Sequence, residues 1–72
     1  MQKFGEKLRI LRKRRGMTLQ ELAFALGLNS HSHLSNIETG KRKPSADLII
    51  KIAQFFNVSA DRLLMDELDL DE

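Results

Sequence analysis

The sequence predicts an all-α fold of five short helices, and three observations support this fold class. First, the apolar residues recur three and four positions apart, as on one face of a helix, and almost nowhere alternate as in a strand. Second, residues that begin or end helices, mainly serine, threonine and glycine, recur between these apolar stretches. Third, 72 residues make at most one small domain, with little room for a large cleft.

The first two helices have clear boundaries. An apolar stripe at helical spacing begins at Phe4, and Gly16 stops this helix just after a basic cluster. Thr18 and Glu21 fit a capping box, in which each side chain accepts a hydrogen bond from the other residue's backbone N–H. The second helix therefore begins after Thr18, and we expect it to end at Gly27.

The last three helices are predicted from their caps and apolar positions. Either Asn29 or Ser30 caps the third helix, which stops near Gly40. Pro44-Ser45 opens the fourth helix, and Ser59 caps the fifth. Helix 3 carries the apolar residues Leu34 and Ile37, and helix 5 carries Leu63 and Leu64. The apolar stripe of helix 4 is Ile49, Ile52, Ala53 and Phe56.

The composition indicates a soluble globular protein of the cytoplasm. Hydrophobic residues make up 42% of the chain and charged residues 31%, which is too apolar for general disorder. No apolar run reaches the roughly 18 residues of a membrane span, and the opening MQKFGEKLRI lacks the apolar stretch of a signal peptide. Cysteine is absent, so packing must hold the fold without disulfides.

Charge is distributed unevenly along the chain. The formal net charge is +2, but the segment DELDLDE, residues 66–72, holds five of the ten acidic residues. Residues 1–65 retain twelve basic and five acidic residues, a net charge of +7, which favours a polyanionic partner. The basic residues form two clusters: Arg9, Arg12, Lys13, Arg14 and Arg15, and then Lys41, Arg42 and Lys43.

We accordingly divide the chain into a folded domain, residues 1–65, and an acidic tail, residues 66–72, that we expect to be flexible. The tail either keeps the basic domain soluble, folds on a protein partner, or lies over the basic face and weakens non-specific binding.

Three segments resemble the lambda-repressor-like, or xenobiotic-response-element, family of helix-turn-helix DNA-binding proteins. They are FGEKLRILRKRRGMTLQELAFALG, LSNIETGKRKPS and IIKIAQFFNVSADRLL. Ala23 stands where that family needs a small side chain between the two motif helices, and Gly27 stands at the tight turn. The resemblance implies a bacterial or phage-type DNA-binding domain in which helices 2 and 3 form the helix-turn-helix, with no cofactor.

The sequence departs from the family pattern at three positions. The turn is one residue longer, which is most simply accommodated at Asn29. Leu19 stands where the family often has a phosphate-binding glutamine, and Gln20 follows it. His33 replaces a tyrosine that many members carry. If the extra residue lengthens the lead-in of helix 3, His31 reaches toward DNA; if it bulges out, His31 turns to solvent.

The outward face of helix 3 follows from helical geometry alone. Each residue advances about 100°, so with Leu34 and Ile37 inward, Ser32 and Asn36 point nearly opposite, and Ser35 is the next most exposed. The two histidines of HSH fall on opposite flanks, which disfavours a metal site, and no serine, histidine and carboxylate converge for catalysis. We therefore predict no metal and no enzymatic activity.

A polar face of this kind suits the major groove of DNA, because asparagine can pair bidentately with adenine and serine can donate or accept at several base edges. The predicted base-reading residues are Ser32, Asn36, His31 and Ser35. The predicted phosphate contacts are Gln20, Ser30, His33, Lys41, Arg42 and Lys43. The remaining basic residues of helix 1 either steer DNA at long range or are merely solvated.

The family resemblance also implies an ion pair and a dimer. Arg12 aligns with a position that pairs with the recognition-helix glutamate, here Glu38. Members commonly bind as symmetric dimers on half-sites about one helical turn apart. Surplus apolar residues on helices 4 and 5 predict the homodimer seam, and Phe24 is a further apolar residue without an assigned role. The predicted seam residues are Leu48, Phe55, Leu64 and Met65.

The function expected from this sequence is sequence-specific binding of double-stranded DNA by a dimeric transcriptional regulator, most simply a repressor that occupies its site. Two other classes stay open. The same module serves as an antitoxin or as a controller of a restriction system. Alternatively, the chain is a protein-binding module that has lost DNA binding, for which Leu19 in place of the phosphate-binding glutamine is the feature to suspect.

Overall fold

This computed structural model describes residues 2–71. This part of the chain contains five α-helices and no strands. The all-α prediction is therefore confirmed, with the helices in the predicted order. Within the same range, no helix is long and apolar enough to cross a membrane. The helices are α1 (Phe4–Arg14), α2 (Leu19–Ala25), α3 (His31–Glu38), α4 (Ala46–Phe56) and α5 (Ala60–Leu64).

Side-chain caps mark where helices α2 to α5 begin. At α2, the Glu21 N–H donates to Thr18 Oγ1 at 3.0 Å, and the Thr18 N–H donates to Glu21 Oε1 at 2.8 Å, which completes the predicted capping box. At α3 the cap is Ser30 and not Asn29, because the Ser30 hydroxyl accepts from the Ser32 N–H at 3.1 Å. Helices α4 and α5 are capped in the same way by Ser45 and Ser59.

The turn between α2 and α3 is a closed, hydrogen-bonded structure. Gly27 takes a positive φ of 74°, and its N–H donates to Phe24 O at 3.1 Å. The next N–H, from Leu28, donates to Ala23 O at 2.8 Å, so two carbonyls at the end of α2 are satisfied. Asn29, where the resemblance to the family places an extra turn residue, follows this motif as an exposed bend.

The core draws residues from all five helices, with α1 packed closely on α3. Gly5 lies at this crossing and is buried. A Cβ atom added there would clash with the carbonyl oxygen of Ile37 and lie 2.6 Å from that of Glu38. The core residues are Phe4, Leu8, Leu11, Leu22, Ala23, Leu26, Leu34, Ile37, Leu48, Ile52, Phe56 and Leu63.

Leu48, an apolar residue of α4, lies in the core and not at the predicted dimer seam. Leu48 was assigned to an outer line at the dimer seam, but it is only 4% exposed and belongs to the core. The buried face of α4 is centred on Leu48, Ile52 and Phe56, at i, i+4 and i+8, while Ile49 and Ala53 are half-buried. The seam prediction is corrected at this residue, because almost none of its surface remains for a second copy.

The described part of the acidic tail, residues 66–71, lies along α1. Asp66 accepts hydrogen bonds from the backbone N–H groups of Lys3 and Gln2 at 2.9 and 3.0 Å, and these bonds lower the pKa of Asp66. Farther along, Arg14 donates two hydrogen bonds of 2.8 Å to Asp71, which lower the pKa of Asp71. The segment thus contacts α1 near both of its ends.

A buried lysine joins α1 to the end of α5. Lys7 is 6% exposed, and its Nζ donates to the carbonyl oxygens of Arg62, Met65 and Leu68. Carbonyls at a helix C-terminus have no partner within the helix, and a cation there also interacts favourably with the helix dipole. The charge of Lys7 is therefore satisfied by backbone groups.

Candidate nucleic-acid interface

The α3 helix presents one polar face and one apolar face. Leu34 and Ile37 are buried, at 0% and 2% exposure, and fasten the helix to the core. On the other side Ser32 is exposed, and Asn36 is half-exposed at the centre of the helix. The remaining predicted base-reading residues lie beside them, with His31 exposed and Ser35 half-exposed. A face of this composition can donate to and accept from base edges.

The basic loop after α3 folds back onto the end of that helix. The backbone carbonyl of Asn36 accepts hydrogen bonds from the N–H groups of Lys41 at 2.8 Å and Arg42 at 3.1 Å. Gly40 makes this reversal possible with a φ of 82°. All three basic side chains, including that of Lys43, are exposed. Helix α3 and the basic loop therefore form one hydrogen-bonded unit.

His33 of α3 and Arg42 of the basic loop, both predicted to bind phosphates, contact each other. Arg42 Nη1 lies 3.1 Å from His33 Nδ1. An arginine only donates, so Nδ1 must accept, and the proton of a neutral imidazole then sits on Nε2. His33 consequently offers an Nε2–H donor while its other nitrogen fixes the direction of the Arg42 guanidinium.

A shallow depression of about 310 Å³ lies between α2 and the start of α3. It brings together three residues that were predicted separately, Gln20 and Ser30 for phosphate and His31 for bases. Asn29 also lines it, as does Phe24, which is 87% exposed. The amide of Gln20 thus lies on the same patch of surface as the N-terminus of α3.

Arg12 and Glu38, expected to pair, are joined by two hydrogen bonds. Arg12 Nε and Nη2 donate to the carboxylate oxygens of Glu38 at 2.8 and 3.1 Å, with side-chain exposures of 12% and 6%. The hydrogen bond that Arg12 donates to Glu38 raises the pKa of Arg12, and burial opposes this shift. Arg12 Nη1 also donates to Met17 O at 2.8 Å. This one side chain therefore links α1, α3 and the loop leading to α2.

The interface carries almost no negative charge. Between Glu21 and Asp47 the sequence has a single acidic residue, Glu38, which Arg12 neutralises. The carboxylate of Glu21 is itself bonded to the Thr18 backbone. A polyanion approaching α3 and its flanking loops meets basic and neutral groups there.

Among residues 2–71, no group of three or more histidine, cysteine or acidic side chains is arranged to hold a metal ion.

Two features of the site were not predicted from the sequence. The His33–Arg42 contact joins residues nine apart and depends on the loop reversal. The exposure of Phe24 was signalled only by its position off the main apolar stripe of α2.

The fold and this polar helix with its basic loop define a helix-turn-helix protein. The helix-turn-helix family model matches residues 8–63, most of the chain, and the protein belongs to this family. An uncharacterized HTH-type transcriptional regulator, YazB of Bacillus subtilis, is 44% identical over 64 residues, which cover 89% of this chain and 91% of YazB.

Two solved structures share the fold closely. The N-terminal DNA-binding domain of SinR from Bacillus subtilis superimposes with a TM-score of 0.82 at 31% identity, over 93% of this chain and 97% of that one. The restriction-modification controller protein C.AhdI from Aeromonas hydrophila gives a TM-score of 0.76 at 35% identity, over 88% and 94%. The chain also matches longer regulators, a repressor and an activator among them, and spans 62% and 31% of those two. A DNA-binding regulator of the helix-turn-helix class is the identity these matches support.

Proposed function

We propose that this protein is a sequence-specific regulator that binds double-stranded DNA as a homodimer and represses by occupying its site. The observation that carries the proposal is the single unit formed by the polar face of α3 and the basic loop, joined through the carbonyl of Asn36. Base-edge donors and acceptors and phosphate-binding cations then approach one duplex together. The protein acts through binding and not through catalysis, in the compartment that holds its DNA.

Base contacts and phosphate contacts have separate roles in this proposal. Asn36 and Ser32 read base edges, with His31 and Ser35 as adjustable neighbours. Lys41, Arg42 and Lys43 bind phosphates and supply affinity that does not depend on sequence. Gln20, Ser30 and His33 add further donors on either side of α3. Because the side chain of Leu19 has no hydrogen-bond donor, the amide of Gln20 is the proposed phosphate donor of α2.

The proposed dimer uses the outer surface of α4 and α5. Met65 is 43% exposed, and Phe55 and Leu64 are half-buried, so these three have apolar surface to share with a second copy. Phe55 also packs edge-on against Phe56, with ring centroids 5.0 Å apart. Ile50 is 52% exposed but lies about 140° around α4 from Phe55, so the two do not form one patch.

Random-site selection followed by salt titration tests the function. We expect a two-fold symmetric site with half-sites about one helical turn apart, because each α3 of a dimer enters its own stretch of major groove. The logarithm of affinity should fall with that of salt concentration at a slope of roughly −4 or steeper, about −0.9 for each phosphate contact, with at least two contacts per protomer. Selection that enriches no site would overturn the proposal, and a single asymmetric site would overturn the dimer.

Asn36→Ala tests base reading. The substitution should cost about 1 to 3 kcal/mol of binding at one base pair of each half-site and relax the preference there, because a bidentate contact is lost. The measurement is affinity for the selected site and its single-base variants. The control is Gln54→Ala, an exposed amide on α4, which should leave affinity unchanged. Equal weakening by Asn36→Ala on every sequence would assign Asn36 to the phosphates instead.

A second candidate function is control of a restriction-modification system, which the likeness to C.AhdI favours. The DNA-binding chemistry would be the same, and the genomic setting distinguishes the two. Genes for a restriction endonuclease and its methyltransferase beside this gene would support the controller.

A further inference from the structure

Phe24 is the most exposed large hydrophobic residue of the described chain. The residue is 87% exposed, while its neighbours Leu22 and Ala23 are 0% and 3% exposed in the core. Packing therefore does not explain a phenylalanine here. Single exposed hydrophobes are common on protein surfaces, so the position of the ring must decide whether it has a role.

The ring lies inside the candidate DNA interface. Phe24 is one turn beyond Gln20 on the same face of α2, and both line the depression that also holds Ser30 and His31. Within residues 2–71, no acidic side chain lines that depression. The ring is thus continuous with residues assigned to phosphate and base contacts, on a surface where a polyanion is not repelled.

A duplex offers this ring one apolar group that carries sequence information. In the major groove only thymine presents a methyl group, on C5, and the other base edges offer donors and acceptors. The N-terminal residues of a recognition helix are those that contact base edges in a helix-turn-helix. Ser30 and His31 begin α3 beside Phe24, which places the ring next to that end of the helix.

We propose that Phe24 is a specificity-determining contact whose ring packs on the 5-methyl group of a thymine at the edge of each half-site. The inference rests on the proposed DNA binding and adds to it an apolar contact from α2. It predicts that the protein distinguishes thymine from uracil at one position of its site, a difference of one methyl group.

The test replaces single thymines of the selected site by deoxyuridine, symmetrically in both halves, and measures affinity for the wild type and Phe24→Ala. The wild type should bind about 4-fold more weakly per half-site at one such position, the effect of burying one methyl group. Phe24→Ala should bind the thymine site roughly tenfold more weakly and should no longer distinguish uracil from thymine there.

The control is Ile50→Ala, which removes a 52% exposed side chain from α4 and should retain wild-type affinity and uracil discrimination. Thermal unfolding should show that Phe24→Ala remains folded, since an exposed side chain adds little to stability.

Two outcomes would overturn the inference while leaving DNA binding intact. Wild-type affinity in Phe24→Ala would remove Phe24 from the interface, and loss of self-association in light scattering would then assign it to a protein contact. If Phe24→Ala bound every DNA sequence more weakly by the same factor and still distinguished uracil from thymine, the ring would be assigned to a contact with the deoxyribose backbone. Failure of the wild type to bind any selected site is a different result, since it overturns the proposed function.

Discussion

Gly5→Ala should destabilise the domain by roughly 3 kcal/mol or more, although alanine is the better helix former. Helix propensity alone favours the alanine by about 0.5 to 1 kcal/mol. Against this, the new Cβ would clash with Ile37 O and lie 2.6 Å from Glu38 O, both of which are backbone atoms of α3. Neither can rotate away, so α1 and α3 must separate and the core between them loses packing. Urea unfolding of both proteins measures the difference.

Gly16→Ala is the matched control. Gly16 has a φ of 65°, and nothing lies within 4 Å of its added Cβ, so only conformational strain of about 1 kcal/mol is expected. Gly5→Ala should therefore be clearly the more damaging of two identical substitutions. Equal costs, or a stabilised Gly5→Ala, would show that α1 and α3 do not approach each other this closely.

Glu38→Leu should destabilise the domain by about 3 kcal/mol, because it leaves the largely buried Arg12 guanidinium without its carboxylate. The free energy of unfolding of a domain of this length is about 4 to 10 kcal/mol, so this loss is a large fraction of it. Arg12→Met should cost a similar amount by leaving Glu38 unpaired. The double variant should recover much of the loss, since two apolar side chains can replace a buried pair. Chemical denaturation of all four proteins completes the cycle.

The exposed pair on the same helix provides a comparison. Arg14 and Asp71 also share two hydrogen bonds, but their side chains are 48% and 70% exposed. Arg14→Met should change stability far less than Arg12→Met, because water screens an exposed pair. Additive effects of Arg12→Met and Glu38→Leu would contradict the coupling that the Arg12–Glu38 geometry predicts.

Local features of the fold were predictable from the sequence because they depend on neighbouring residues. The capping box at Thr18 and the turn at Gly27 each involve residues within five positions. The choice between Asn29 and Ser30 was not predictable, since either side chain can cap a helix. Leu48 was misplaced because an apolar surplus on α4 allows two adjacent stripes, and only the packed core selects between them.

Contacts between distant residues could not be predicted. Asp66 reaches the N-terminus of α1 across more than sixty positions, and Lys7 turns inward to α5 although lysine is usually a surface residue. In the candidate site, the outward residues of α3 followed from helical geometry. The His33–Arg42 contact did not, because it requires the loop to reverse over Gly40.

The carbonyl of Asn36 has a consequence for how such a protein can change its target. It holds the N–H groups of Lys41 and Arg42 while the side chain of the same residue faces outward. In the proposed complex, the distance between the base that Asn36 reads and the phosphates that the loop binds is therefore set by the backbone of one residue. Replacing the Asn36 side chain leaves that spacing in place, so new base preferences can evolve without a new docking register. Lengthening the basic loop would instead change the spacing between base and phosphate contacts on every DNA sequence.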